Sequence, residues 1–211
     1  MKRLLLILMT ALTVACSSDP VYHGLTPKEK ESYGQSIAGE YPGRYEIVYT
    51  GNDGEKLRLK TVNDITLSVS DLAMHSIIFN DFPLSLLAQV VDDEELGQAL
   101  TNVPDMGLTA SYEFIKADEQ GHVNWNFDVN PVSLSLTYGG KKHNIVLQFS
   151  NAYTFVEFSK GQLDAGTAFE QGTIVQLQLI TIYDGNKPLY DFGGWGNDNR
   201  VLLAQFYFGL K

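Results

Sequence analysis

Four histidines, one cysteine and 25 acidic residues are the side chains from which this chain of 211 residues can build catalytic or metal chemistry. His23, His75, His122 and His143 lie far apart, and none has a second His, a Cys or paired carboxylates at the spacing that makes a ligand set. No H-E-x-x-H occurs, so neither a zinc site nor any other cofactor is expected. His122 and His143 fall at turn or strand edges and read as solvated surface side chains. The densest charge run, Asp92-Asp93-Glu94-Glu95, is what a helix N-terminus favours, where carboxylates cap free N–H groups and meet the helix dipole. Asn52-Asp53-Gly54-Glu55 and Asn197-Asp198-Asn199 offer oxygen ligands without the D-x-[DN]-x-[DN]-G spacing, and make at most weak calcium loops.

Nucleophilic chemistry has even less support. No G-x-S-x-G is present, and Gly193-Gly194-Trp195-Gly196 lacks the Lys and the strand-to-helix setting of a phosphate loop. A carboxylate pair for glycoside hydrolysis needs only proximity in space, and nothing along the chain selects one. No catalytic residue is therefore expected. The segment richest in binding chemistry runs from Tyr190 to Arg200, where aromatic rings stand among glycines and amides. Aromatic faces stack on sugar rings and amide or carboxylate groups bond hydroxyls, so Tyr190, Trp195, Asn197, Asp198 and Asn199 are the candidate ligand contacts. The competing reading is a long hairpin loop whose Trp195 folds back onto the core.

The start of the chain specifies an address. Met1-Lys2-Arg3 is a short basic opening, and Leu4 to Val14 is an uncharged, mostly apolar run too short to span a bilayer. Leu12-Thr13-Val14-Ala15-Cys16 follows and resembles the lipobox of bacterial lipoproteins, in which a small residue stands directly before the Cys that takes the lipid, here the only Cys. That Cys cannot close an internal disulfide, and lipidation explains why an exported chain keeps it. Residues 1–15 are thus expected as a signal peptide, Cys16 as the site of lipid attachment and residues 16–25 as a flexible tether. After residue 15 no apolar run is long enough for a membrane-spanning helix. Ser17, in place of an Asp, points to the outer membrane, and Asp19 hints at surface display. Loss of Lys2 and Arg3 takes the formal charge from −10 to −12, which excludes nucleic acid and anionic lipid as electrostatic partners.

The rest, residues 26–211, must position those candidates. Thr26-Pro27-Lys28-Glu29 has the residues of a helix start, with Thr26 as N-cap, and predicts a helix over 27–37 ended by Gly39 and Pro42-Gly43. From Arg44 apolar and polar residues alternate on either side of Gly51-Asn52-Asp53-Gly54, which predicts a hairpin, with further strands over 64–69 and 76–80. Leu84, Leu87, Ala88 and Val91 then Leu96, Ala99, Leu100 and Val103 carry helical spacing, the second set capped by Asp92 with Glu95 three residues on. Strands are predicted over 108–116, 123–129, 132–138, 144–149, 153–158, 174–183 and 201–208, with Gly139-Gly140 and Asp184-Gly185-Asn186 as hairpin tips. Crossover helices are missing, so pairing should be antiparallel. The fold class is mainly β, an antiparallel sandwich or flattened barrel with two or three short helices, and a split into subdomains near Pro104 is the alternative.

The lipobox-like start, Gly39-Glu40-Tyr41-Pro42-Gly43-Arg44-Tyr45, the run from Asn80 to Ala88 feeding an acidic helix, and Pro131 to Phe149 with its Tyr-Gly-Gly turn together resemble a family of bacteroidete lipoproteins of about this length, a domain of unknown function. The resemblance covers nearly the whole chain and brings no catalytic or ligand residue. It implies an accessory role beside the transporters and enzymes of glycan-degrading cells. The expected function is a lipid-anchored, non-enzymatic binding or assembly protein of the cell envelope, contacting glycan or an envelope protein. Two alternatives stand: a carrier of a small apolar ligand inside a β-barrel, which requires a roomy cavity, and a hydrolase with an unmarked carboxylate pair.

Overall fold

A computed structural model describes residues 21–50, 56–71, 75–119, 123–151, 156–158, 174–193 and 201–208. The signal segment, Cys16, Asn52-Asp53-Gly54-Glu55, His122, Trp195 and Asn197-Asp198-Asn199 lie outside these residues. The described elements are β1 (Tyr22–Gly24), α1 (Pro27–Ile37), β2 (Gly39–Thr50), β3 (Lys56–Ser70), β4 (Ser76–Phe82), a 3-10 segment (Leu84–Gln89), α2 (Glu94–Thr101), β5 (Met106–Asp118), β6 (Val123–Val129), β7 (Val132–Tyr138), β8 (Lys141–Asn151), β9 (Val156–Phe158), β10 (Ile174–Asp184), β11 (Lys187–Asp191) and β12 (Val201–Phe208).

All strand pairings are antiparallel, in the order β7-β8-β10-β12-β2-β3-β4-β5-β6-β9, with β1 added to β5 and β11 to β10. The sheet runs across Pro104, since β4 pairs with β5 on its far side. It also curls on itself. Four strands separate β4 from β8 in the sheet, a flat distance of about 24 Å at ordinary strand spacing. Yet the rings of Phe82 and Phe149, one on each, meet edge to face with centroids 5.8 Å apart. Phe79, Phe82, Trp125, Phe127, Tyr45 and Phe149 fill the space between the facing halves, each at most 3% exposed. A β-rich sandwich or flattened barrel with short helices is therefore the architecture, and among the described residues its interior is occupied by rings.

Local chemistry explains the elements. Thr26 caps α1 by accepting from the Glu29 N–H, while the Glu29 carboxylate accepts from the Thr26 N–H at 2.8 Å, a closed capping box. β7 and β8 pair Val132 with Leu147, Leu134 with Ile145 and Leu136 with His143, the register that the alternation and Gly139-Gly140 predict.

Five expectations need correction. The tether predicted over 16–25 is cut short, because Tyr22–Gly24 pairs with Lys116–Asp118 and the Lys116 ammonium lies 4.2 Å from the centre of the Tyr22 ring. Pro42-Gly43 does not precede β2 but lies within it, next to a bulge where a missing N–H disturbs the ladder least. The break expected before Asp64 is that same irregularity seen from β3, which continues through it with Asp64 at φ 57°. Leu84, Leu87 and Val90 are each at most 1% exposed, a three-residue repeat that suits the 3-10 segment found in place of the predicted α-helix. Asp93, not Asp92, caps α2, its carboxylate accepting from the Leu96 N–H at 2.9 Å.

Candidate functional site

β5 changes partner along one edge, and a cleft forms where it does. β4 flanks it as far as Ser111, the Tyr112 N–H donates to the His75 carbonyl at 2.8 Å, and β1 takes over from Lys116. Among the described residues no strand flanks Glu113–Ile115 on that side. Helix α1 arrives instead: the Tyr33 ring meets the Phe114 ring edge-on at 5.7 Å, and Lys30 Nζ lies 2.6 Å from Glu113 Oε1. The resulting cleft has a volume of about 510 Å³, and its polar lining is Lys30, His75, Ser111, Glu113, Asn126 and Asp128.

Strand register sets the geometry. Ser111 faces Asp128 and Glu113 faces Asn126 across the β5–β6 ladder, so alternation puts a hydroxyl, an amide and two carboxylates on one sheet face. Glu113 and Asp128 are diagonal neighbours, roughly 7–8 Å apart at that position of an antiparallel pair. The hydrolase alternative needs one such carboxyl drawn out of water so that it holds a proton at neutral pH. Neither carboxylate is drawn out of water: Glu113 is 69% exposed and paired with Lys30, and Asp128 is exposed.

His75 is the strained member. Its φ of 38° lies in the left-handed region, and its Nδ1 is buried with no hydrogen-bond partner among the described residues. Its ring tilts against that of Tyr112 at 5.4 Å, and the Tyr112 hydroxyl donates to the Ser70 carbonyl at 3.1 Å. Burial, then the nearby Asp71 carboxylate, pushes that hydroxyl well above the usual tyrosine range, so it remains a donor.

Of the ligand contacts expected from sequence, Tyr190 alone is described. Its hydroxyl accepts from the Asp92 and Asp93 N–H groups at 3.0 and 2.9 Å, and its ring lies parallel to that of Phe192 with centroids 6.2 Å apart. The hydroxyl thus serves the start of α2, and the ring anchors the chain at the point where the Trp195 segment leaves. His143 is not the solvated side chain expected. It is half-buried, with Nδ1 2.7 Å from Asp184 Oδ2 and its ring stacked on Tyr138 at 3.8 Å. Tyr138 has its hydroxyl pushed upward by burial first and then by the carboxylates of Asp184 and Asp93.

Among the described residues no group of three or more His, Cys, Asp or Glu side chains converges to hold a metal ion, and no helix is long and apolar enough to cross a membrane. The cleft residues escaped the sequence reading. Polar alternation at Ser111/Glu113 and Asn126/Asp128 marks a solvated sheet face, but only the change of partner along β5 turns that face into a concavity.

No curated protein and no solved structure matches the chain. A family model does, over residues 36–175, from the end of α1 into β10, and so takes in the whole β2–β9 core and every cleft residue except Lys30. That is more than half of the chain, and the chain belongs to the family described as Domain of unknown function (DUF4840).

Proposed function

We propose that the protein is a lipid-anchored accessory protein of the cell envelope, held through Cys16 in the outer membrane, which binds a polar ligand and catalyses no reaction. The cleft at the β5 seam carries this reading: it is concave and solvent-facing, and it presents hydroxyl, amide, carboxylate and ammonium groups side by side with neither carboxylate withdrawn from water. Such a set suits a glycan, whose hydroxyls both donate and accept hydrogen bonds. The resemblance of the sequence to bacteroidete lipoproteins supports the same reading, because such lipoproteins work beside glycan-handling machinery.

Two measurements test the two halves of the proposal. On a glycan array, Asp128→Asn and Asn126→Ala are expected to weaken binding by about tenfold, the loss of one or two hydrogen bonds at the site. Binding that both variants retain would move the ligand elsewhere, and Trp195→Ala then asks whether the segment beyond Phe192 holds it. For the anchor, Cys16→Ala is expected to move the protein almost wholly from the membrane fraction to the soluble one. Native material should carry the mass of two or three acyl chains, because a single chain holds only marginally at about 0.8 kcal/mol per methylene. An unmodified Cys16 in membrane-bound protein would refute the anchor.

A further inference from the structure

β7 ends the sheet. It stands at one terminus of the strand order, with β8 on one side and, among the described residues, no strand on the other. Edges of this kind offer main-chain donors and acceptors to any arriving strand, and proteins usually blunt them with lysines, prolines or bulges. β7 has none of these. Val132–Tyr138 is uncharged, free of proline and paired with β8 without a register shift.

The neighbouring ladder fixes which groups face outward. The Gly185 N–H donates to the Asn144 carbonyl at 2.8 Å, so the main-chain groups of Asn144 point toward β10 and away from β7. Ser135, opposite Asn144, therefore turns its own N–H and C=O to the open side, and Ser133 and Thr137 do the same by the two-residue period. All three are exposed. Along this edge runs a groove of about 390 Å³, lined by Leu134, Ser135, Leu136 and Thr137 and walled by the end of α2 and Pro104. Four consecutive strand residues share an edge and not a face, so the groove is space beside the main chain.

The geometry points to a second copy of this chain as the occupant, with β7 pairing antiparallel to β7 about a two-fold axis through Ser135. In that register Ser135 faces Ser135, Ser133 faces Thr137, Leu134 faces Leu136 and Val132 faces Tyr138. The outward-pointing residues fall opposite one another, so each such pair exchanges both of its main-chain hydrogen bonds. Hydroxyl side chains meet hydroxyl side chains, and apolar ones meet apolar ones. The pattern of β7 selects the partner, because it reads nearly the same in both directions about Ser135. Two copies that each carry a formal −12 after loss of Lys2 and Arg3 repel over most of their surfaces, and the uncharged stretch along Leu134–Thr137 with its uncharged groove wall is where that repulsion is least. The contact is self-complementary and closes at two, which covers both exposed edges at once.

Sedimentation equilibrium of the purified protein between about 1 and 100 μM, the range expected of a small interface, is the test. The wild type is expected to dimerise across that range. Ser135→Pro removes an outward N–H without touching the β8 ladder and is expected to leave monomer. Register is read from a second pair of variants, which also serves if the proline variant does not fold. Ser133→Lys with Thr137→Lys sets like charges across the axis and is expected to abolish the dimer, whereas Ser133→Lys with Thr137→Glu sets opposite charges there and is expected to preserve it. A wild type that stays monomeric throughout would leave the edge to a strand of some other protein and overturn the proposal. So would a dimer indifferent to both pairs of charges.

Discussion

Phe82→Ala is expected to destabilise the protein by about 3–5 kcal/mol, the usual loss when a buried aromatic side chain is truncated and the cavity persists. The argument is positional. Phe82 is 1% exposed, and its ring meets two others edge to face, Tyr45 at 5.6 Å and Phe149 at 5.8 Å, so it clasps the facing halves of the curled sheet. Set against the roughly 5–15 kcal/mol that holds a domain together, the change threatens the fold itself. Urea denaturation followed by tryptophan fluorescence measures it, since Trp125 is fully buried in the same cluster. Met106→Ala, on an exposed side chain of β5, is expected to change stability by less than about 0.5 kcal/mol. Equal effects from the two variants would contradict the curled architecture.

Alkali should unfold the protein earlier than its acidic composition suggests. The Tyr45 hydroxyl is enclosed by the core and donates to the Asn80 carbonyl, and burial, followed by the Asp81 and Asp105 carboxylates, pushes its ionisation far above the ordinary tyrosine range. The folded state therefore keeps a proton that the unfolded chain releases near pH ~10. Stability from this group is complete below that pH and falls above it, by up to about 1.4 kcal/mol per pH unit for one such tyrosine. Tyr112 is shifted the same way and steepens the loss. Tyr45→Phe is expected to lower stability at neutral pH by about 1 kcal/mol, because the part-buried Asn80 carbonyl loses its donor, and to flatten the alkaline limb. Urea midpoints taken at pH ~7 and ~11 separate these effects, and an unchanged alkaline slope in the variant would rule out Tyr45 as the source.

Local features of the sequence specify much of this fold. β6, β7 and β12 fall within the bounds that alternation and the flanking Gly, Pro and Asn residues imply, and Thr26-Pro27-Glu29 places α1 to the residue. What stayed hidden depends on long-range neighbours. His143 and Asp184 are 41 residues apart, and nothing in either local sequence announces that two hairpin tips will bring them together. The cleft is hidden for the same reason, since Lys30, His75, Glu113 and Asp128 become neighbours only because β5 exchanges β4 for β1 partway along its length. The 3-10 segment shows a different limit: apolar residues spaced by three and by four fit two helix types, and packing decides between them.

The early pairing of Tyr22–Gly24 with β5 also sets a working height. Six residue steps at no more than about 3.6 Å each separate Cys16 from Tyr22, so an acylated chain holds its first strand within roughly 20 Å of the bilayer surface. With the anchor proposed above, the seam between β1 and β4 would stand close to the headgroups, where the protein would sample ligands drifting within the plane of the membrane and would not reach out across the envelope to fetch them.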